Sequence, residues 1–292
     1  MLFPELLRPG DTVALVAPSS SFPSTEFFTG LEWLRQRYRI HITSDVLLRH
    51  GYLAGTDEDR VRSLSRAMTD PFVRAIVAAR GGYGSMRILD ALPWNEWCTR
   101  PSWLVGFSDI TALHLEAHRR GVGTVHGPNV TSLGRAAPID RYVWLRALES
   151  KEAAQVWSLR ALRDGDAEGP LVGGNLSLVQ AMLASGRCNI PRGAMLLLED
   201  VTEAPYRVDR MLTSLLLAPA FRNVSCVIFG DFSRCDARSD GRTVLEVLAD
   251  FAERVSVPVF VGAPVGHGDS NRAFRHGANA RIKQRELFLG CS

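Results

Sequence analysis

The sequence predicts an α/β fold, with a mostly parallel sheet wound by helices on both faces in the first half of the chain. Two observations predict it. Apolar runs of strand length alternate with stretches in which apolar residues recur every three or four positions. Clusters of glycine, proline and serine follow the apolar runs, as expected where strands end in loops. At 292 residues the chain is long enough for two domains of roughly 150 residues each.

In the first half, continuous apolar and β-branched runs predict five strands, over 12–17, 40–48, 73–79, 103–106 and 122–125. Helical spacing predicts the helices between them. They begin at Ser24 and Thr56 as caps, near Met86, after Ser108, and at Asp140.

The second half is predicted to be smaller and mixed. Helices are expected from Asn175 through Met182 and over 206–217 and 244–255, with strands over 195–198, 224–232 and 258–261 and a closing hairpin over 280–289. Residues 160–170 have the composition of a linker. We therefore expect an N-terminal domain over 1–150, a linker over 151–169 and a C-terminal domain over 170–292.

Composition excludes several classes of function. The net charge of +3 comes without a basic run, which argues against nucleic-acid binding. No apolar stretch approaches the ~20 residues that span a bilayer, and the start lacks a secretory signal, so we expect a cytoplasmic protein without a membrane partner. The cysteines are scattered and odd in number, which argues against disulfides and a cysteine-rich metal site; they are Cys98, Cys188, Cys226, Cys235 and Cys291.

The stretch from Trp103 to His114 is apolar and β-prone before Gly106 and helical in spacing after Ser108. A serine at a strand-to-helix switch is surrounded by free N–H groups at a positive dipole end, which suits a nucleophile whose reaction develops an oxyanion. The same serine can simply cap the helix. On this stretch alone the cap is favoured, because the G-x-S-x-G pattern is absent.

Three loops are predicted to share one rim of the first sheet: Pro18 to Ser20, Arg80 to Gly84, and Ser108. Ligands of such sheets bind beyond the carboxyl ends of the strands. The glycine-rich loop matches no phosphate-binding pattern. It is either a tight turn or a close backbone approach that offers N–H groups to an oxyanion.

Two further residues stand at strand ends in the second half. Glu199 follows an apolar run and needs a partner if buried, either Arg207 or Arg210 or a catalytic histidine. His267 lies between glycines after a predicted strand, as a surface histidine or a functional one. His114 and His118 have metal-ligand spacing, but without a third ligand nearby we expect a solvated helix face and no metal.

Several motifs in order resemble the LD-carboxypeptidases, a serine peptidase family that also contains the microcin C immunity peptidases. The resemblance runs nearly end to end. It rests on Gly10-Asp11-Thr12-Val13-Ala14-Leu15-Val16-Ala17-Pro18, Ala54-Gly55-Thr56-Asp57, Arg80-Gly81-Gly82-Tyr83-Gly84, Gly106-Phe107-Ser108-Asp109, His126-Gly127-Pro128, Gly173-Gly174-Asn175, Leu198-Glu199-Asp200, Pro205-Tyr206-Arg207-Val208-Asp209-Arg210 and Gly266-His267.

The resemblance implies a catalytic triad of Ser108, Glu199 and His267, with backbone N–H groups of Asp109 and Gly82 as the oxyanion hole. It also implies a Rossmann-like or flavodoxin-like N-terminal domain, a smaller C-terminal domain, a catalytic cleft between them and a homodimer. The implied reaction releases terminal D-alanine from cytoplasmic muropeptide tetrapeptides in peptidoglycan recycling, without metal or cofactor. The residues predicted to contact this substrate are Arg80, Gly81 and Asn175.

The sequence departs from the family pattern in two places. Arg100-Pro101-Ser102 stands where the family often has a lysine, and the loop after His267 matches loosely. Two other functions therefore stay open. One is a microcin-immunity-type peptidase that cleaves peptidyl-aminoacyl-nucleotides, and the other is a non-catalytic two-domain ligand-binding protein.

Overall fold

A computed structural model describes residues 1–152, 154–236 and 241–290 of the chain. Cys291, one of the five cysteines, lies outside the described residues. The chain forms two compact units. The first contains Met1–Lys151 and Arg272–Phe274, and the second contains Glu152–Asn271 and the residues from Arg275 onward.

The strands are numbered along the chain. They are β1 (Thr12–Val16), β2 (Arg39–His41), β3 (Val73–Ala78), β4 (Trp103–Gly106), β5 (Thr124–His126), β6 (Gln155–Ser158), β7 (Arg160–Arg163), β8 (Ala167–Asn175), β9 (Ala194–Val201), β10 (Val224–Ser233), β11 (Val259–Val261), β12 (Phe274–His276), β13 (Asn279–Lys283) and β14 (Glu286–Leu289).

The α-helices are numbered in the same way. They are α1 (Ser24–Arg35), α2 (Asp57–Thr69), α3 (Ser85–Ile88), α4 (Trp94–Thr99), α5 (Thr111–Arg119), α6 (Val130–Arg135), α7 (Pro138–Glu149), α8 (Leu176–Ala184), α9 (Pro205–Leu217) and α10 (Val244–Arg254). Short 3-10 turns cover Ser44–Leu47, Leu89–Ala91, Ser108–Ile110 and Pro219–Asn223.

The first sheet has the strand order β12-β5-β4-β3-β1-β2. Strands β1 to β5 pair in parallel with one another. Their order, 2-1-3-4-5, is that of a flavodoxin-like doubly wound sheet, in which ligands bind at the switch point between β1 and β3. The predicted fold class is therefore confirmed, and the loops that follow β1, β3 and β4 share one rim.

Burial explains the apolar strands of this sheet. β3 and β4 are buried almost throughout, which removes continuous apolar surface from water. The same core holds the rings of Phe27, Trp103 and Trp144 at 2% exposure or less. Strand β2 ends at His41, well short of the predicted 40–48. Thr43 donates its hydroxyl to Asp45, and a 3-10 turn follows instead of further strand.

Helix starts differ in how well the sequence predicts them. Helix α2 begins after Thr56, as predicted, and Thr56 caps it with a complete capping box to Asp59. Ser24 was expected to cap α1, but Pro23 occupies the cap position and Ser24 is the first helical residue. Helices α4 and α6 were not predicted, since each spans only six residues and shows little periodicity.

The second unit is built on a mixed sheet of eight strands in the order β6-β14-β13-β8-β9-β10-β11-β7. Strands β8 to β11 run parallel, and the flanking pairs are antiparallel. The closing hairpin is confirmed as β13 and β14. The prediction of a linker over 151–169 is wrong in detail, because β6, β7 and the start of β8 lie there and pair with β14, β11 and β13. Among the described residues, no helix is both long and apolar enough to cross a membrane.

Candidate active site

Ser108 stands where β4 turns into the helical segment, and its backbone is unusual. Its φ is 64°, a left-handed conformation that costs a non-glycine residue about 1–2 kcal/mol. The residues at the cap positions of the 3-10 turn and of α5 are Phe107 and Ile110. Ser108 is therefore not the N-cap that the stretch alone favours. Its side chain is partly exposed on a sharp, strained turn, as a nucleophile on such an elbow is.

The glycine-rich loop after β3 approaches Ser108 so closely that no side chain fits. A Cβ on Gly81 would lie 2.8 Å from the Ser108 Cβ and 3.0 Å from its Oγ. The next residue, Gly82, has φ of 105° and would place a Cβ 2.5 Å from Ser20 Oγ. These glycines allow backbone to lie against Ser108, which favours the close-approach interpretation over a plain tight turn.

The loop after β1 is tied to the glycine-rich loop by hydrogen bonds. Ser20 donates its N–H to the Gly81 carbonyl at 3.3 Å and accepts the Tyr83 N–H on its hydroxyl at 3.1 Å. Arg80 lies exposed on the same loop and donates to the Ser21 carbonyl at 2.9 Å. The three predicted loops are thus one connected structure within the first unit, and Arg80 is a cation available on its rim.

In the second unit, the structure brings Glu199 and His267 together. Glu199 is fully buried near the end of β9, and its Oε2 lies 2.7 Å from His267 Nδ1. Of the partners considered for Glu199, the histidine is therefore the one it has. Arg207 instead contacts Glu203, at 3.5 Å.

The loop that carries His267 depends on glycine. Gly266 has φ of 139°, and a Cβ there would lie 2.9 Å from the Asp231 Cβ and 3.2 Å from Glu199 Oε2. A Cβ on Gly230, in the neighbouring strand β10, would lie 2.3 Å from the Val265 carbonyl oxygen. Close backbone packing therefore holds the loop over β9 and β10 and presents His267 to Glu199.

Electrostatics favour a protonated His267. Burial of the ring by itself lowers the pKa, but the hydrogen bond and charge of Glu199, with the charges of Asp200 and Asp231, raise it above its ordinary value. Because Glu199 binds Nδ1, proton transfer by the ring would use the other nitrogen, Nε2. This is the arrangement of the base and its orienting carboxylate in a Ser-His-acid triad.

Asn175, predicted to contact substrate, holds the start of α8. Its Oδ1 accepts the Leu178 N–H, and its Nδ2 donates to Asp200 Oδ1 at 3.1 Å. Asp200 also accepts from the Ser177 N–H and hydroxyl. Asn175 is 4% exposed and caps the helix, and its contact with substrate stays a prediction.

The prediction of a solvated face on α5 is wrong for His114, whereas His118 is partly exposed. His114 is completely buried, its Nε2 lies 2.9 Å from the Gly106 carbonyl oxygen, and burial lowers its pKa to about 4. In the part of the chain that the structure describes, no three His, Cys, Asp or Glu side chains are grouped so as to hold a metal ion.

Sequence reasoning missed four side chains that organise the rim: Asp109, whose carboxylate was not considered, and Ser19, Ser85 and Arg60. Asp109 is 1% exposed and accepts the Ser19 hydroxyl at 2.6 Å and the Ser85 N–H at 2.8 Å. Arg60 is 1% exposed and donates to backbone carbonyls. Nothing in their local sequence sets these residues apart: Arg60 lies among charged residues and Ser19 among serines.

Two protein-family models match the chain. Residues 13–127 match the model of the LD-carboxypeptidase N-terminal domain, and residues 168–282 match that of the LD-carboxypeptidase C-terminal domain. The murein tetrapeptide carboxypeptidase of Pseudomonas aeruginosa is 33% identical over 94% of each chain.

Two solved structures extend the comparison. The crystal structure of muramoyltetrapeptide carboxypeptidase from Oxalobacter formigenes covers 96% of this chain and 99% of its own, with 27% identity and a TM-score of 0.87. The microcin C7 self immunity protein MccF, solved with aspartyl sulfamoyl adenosine, shares the fold at a TM-score of 0.92 and 22% identity, over 100% of this chain and 99% of its own. The chain therefore belongs to the LD-carboxypeptidase family and is a serine-type carboxypeptidase.

Proposed function

We propose that this carboxypeptidase hydrolyses the amide that joins an L-centre to terminal D-alanine in muropeptide tetrapeptides. The observation that carries the proposal is the buried Glu199 carboxylate, 2.7 Å from His267, in a chain whose Ser108 stands on a strained turn. The name of the Pseudomonas aeruginosa relative supports the same class of substrate. Membership of a peptidase family favours catalysis over the non-catalytic binding protein.

In the proposed mechanism, Glu199 holds the Nδ1–H tautomer of His267, and His267 Nε2 takes the proton of the Ser108 hydroxyl. The Ser108 oxygen then attacks the carbonyl carbon of the scissile amide. His267 returns the proton to the leaving nitrogen, so D-alanine departs and Ser108 is left acylated. Water, deprotonated by His267, cleaves this ester and regenerates the hydroxyl.

Oxyanion stabilisation is assigned to backbone N–H groups, those of Asp109 and Gly82. The close approach of the glycine-rich loop to Ser108 supports this assignment. Arg80 is proposed to bind the terminal carboxylate of the substrate, because its guanidinium is exposed on the same loop. Gly81 completes the loop surface. A cytoplasmic location, a role in peptidoglycan recycling and a homodimeric state remain predictions.

The test is release of D-alanine from an L,D-tetrapeptide muropeptide, followed by mass spectrometry. Wild type should release it, and Ser108→Ala should release none above the uncatalysed rate. Arg80→Ala is expected to raise KM more than it lowers kcat, since it removes binding of a carboxylate at which no bond is made or broken. Release by Ser108→Ala at the wild-type rate, from folded protein, contradicts the proposal.

A second substrate class has one observation in its favour. Tyr52 and Tyr83 are exposed next to the rim loops, with ring centroids 5.8 Å apart. Exposed aromatic rings can stack on a nucleobase, which would favour binding of a peptidyl-aminoacyl-nucleotide. Hydrolysis of aspartyl sulfamoyl adenosine, with no release of D-alanine from the tetrapeptide, would favour this class. The reverse pattern favours the muropeptide.

A further inference from the structure

The carboxylate of Asp109 lies at the centre of the rim. It is 1% exposed, and its Oδ2 accepts two hydrogen bonds, from the Ser19 hydroxyl at 2.6 Å and the Ser85 N–H at 2.8 Å. The backbone carbonyl of the same residue accepts the Ser85 hydroxyl at 2.6 Å. One residue is therefore bonded to two segments that are far away in sequence.

Those contacts join all three loops that follow β1, β3 and β4. Ser19 belongs to the first loop, Ser85 directly follows the glycine-rich loop, and Asp109 is the residue after Ser108. Ser20, next to Ser19, binds the glycine-rich loop as well, through Gly81 and Tyr83. The position of the Asp109 backbone relative to the glycine pair is thus fixed through its own carboxylate.

Arg60 holds the same loops from a second direction. Its buried guanidinium donates through Nη1 to the Pro18 carbonyl at 2.5 Å and to the Gly84 carbonyl at 2.8 Å. It also forms an ion pair with Asp57, which in turn binds Arg87. Two buried charged groups, one an acceptor and one a donor, therefore tie the first loop to the glycine-rich loop.

Burying a carboxylate is costly unless its oxygens are hydrogen-bonded. Apolar contacts would hold a loop at a lower cost in free energy than a buried charge. The buried carboxylate therefore indicates that it fixes the position of the loops and does not serve stability alone. N–H donors stabilise an oxyanion only when they are correctly placed. Misplacement by about 1 Å lowers the rate by on the order of 10²-fold.

We infer that the Asp109 carboxylate is a positioning residue, which through Ser19 and Ser85 sets the separation of the two oxyanion-binding N–H groups. The inference rests on the proposed function, because it presumes that Ser108 is the nucleophile. It extends that function in one respect. The loop after β1 supplies no reacting group, yet it controls the rate because its Ser19 hydroxyl is hydrogen-bonded to the buried Asp109 carboxylate.

The test compares Ser19→Ala with Ser102→Ala. Both substitutions remove a buried serine hydroxyl that is hydrogen-bonded, the latter to Trp97 Nε1 at 3.2 Å, at the start of β4 and away from the rim. For each variant we would measure kcat, KM, the denaturant midpoint of unfolding, and the affinity of a peptide aldehyde. The aldehyde forms a hemiacetal with Ser108 and so reports on the oxyanion hole directly.

Ser19→Ala is expected to lower kcat by about 10-fold with KM unchanged, and to weaken aldehyde binding by the same factor. Asp109→Ala should lower kcat and the affinity for the aldehyde by on the order of 10²-fold each. Asp109→Asn should recover most of the loss, because its amide oxygen still accepts both bonds. Ser102→Ala should leave kcat and aldehyde affinity unchanged even if it destabilises the fold equally.

The inference is overturned if Ser19→Ala and Ser102→Ala have the same kcat and aldehyde affinity, or if Ser19→Ala acts on KM alone. Should Asp109→Ala not fold, the Ser19 comparison still decides. Failure of the proposed function is recognised separately: wild type would then release no D-alanine, or Ser108→Ala would release it as fast as wild type.

Discussion

At the scale of single residues, the Glu199–His267 pair is defined by burial. The carboxylate has no access to water, and the histidine side chain is 17% exposed. A negative charge held there stabilises the imidazolium that forms when His267 accepts a proton. The same charge must also raise the pH at which the resting histidine loses its proton.

This raised pKa gives a prediction for the pH dependence of the rate. Only neutral His267 can accept a proton, so kcat/KM should rise with pH through the pKa of His267 in the free enzyme. Because that pKa is raised, the midpoint of the acidic limb should lie above 6.5, the ordinary value. A profile of kcat/KM from pH 5 to 9 measures it.

Glu199→Gln tests the cause of the shift. Loss of the charge should move the acidic limb to lower pH. The amide NH2 can also donate to Nδ1 and so favour the wrong tautomer of His267, which should reduce kcat by on the order of 10²–10⁴-fold. Asp231→Asn is the control, because Asp231 contributes less to the pKa of His267. If the midpoint of the acidic limb of kcat/KM is the same in Glu199→Gln as in wild type, the charge of Glu199 does not determine that midpoint.

Sequence patterns single out the residues of the proposed triad, but not the side chains that hold the rim loops. Ser108, Glu199 and His267 were singled out from strand ends and the family resemblance. The carboxylate of Asp109 and the guanidinium of Arg60 were not. Their partners lie 90 and 42 residues away in sequence, and a polar side chain does not reveal a distant partner through local periodicity.

At the scale of elements, the sequence predicts the strands that are buried along their whole length and does not predict a strand that is partly exposed. Strands β3 and β4 are buried nearly throughout and were predicted within a residue or two. Strand β7, at the sheet edge, has exposed residues at both ends and two half-buried residues between them, and its composition is that of a loop. It forms because β11 offers an antiparallel partner, a tertiary effect that propensity does not contain.

The loop after β3 carries a prediction of its own. Gly81 does not have a positive φ, so alanine can adopt its backbone conformation without strain. The added Cβ, however, would lie 2.8 Å from the Ser108 Cβ. Either the loop or Ser108 must shift, and kcat/KM should fall by about 10²-fold or more. Steady-state kinetics beside a denaturant titration would separate this effect from lost stability.

Gly121→Ala is the matched control for Gly81→Ala. Gly121 has φ of +84°, and no atom lies within 4 Å of an added Cβ. The substitution should cost about 1–2 kcal/mol of stability through backbone strain and leave kcat/KM unchanged. If the two variants lose activity equally, close approach to Ser108 is not the reason for glycine at position 81.

At the scale of the whole molecule, the first unit is discontinuous in sequence. Its sheet and core are completed by Arg272–Phe274, which follow most of the second unit along the chain. Ala273 is fully buried in the core cluster of the first unit, and the Phe274 ring stacks on His126 with centroids 5.0 Å apart. Local hydrophobic periodicity does not predict contacts between residues this far apart in sequence. For this reason the sequence does not predict β12.

The returning segment should therefore be needed for the stability of the first unit. Phe274 is 2% exposed, and Phe274→Ala removes a buried ring, which should cost about 3–5 kcal/mol. Phe72→Ala removes the same ring from a position that is 76% exposed and should change stability by less than about 0.5 kcal/mol. Urea unfolding, followed by the fluorescence of the first-unit tryptophans, measures both. Equal midpoints would mean that residues 1–151 are stable without the returning strand.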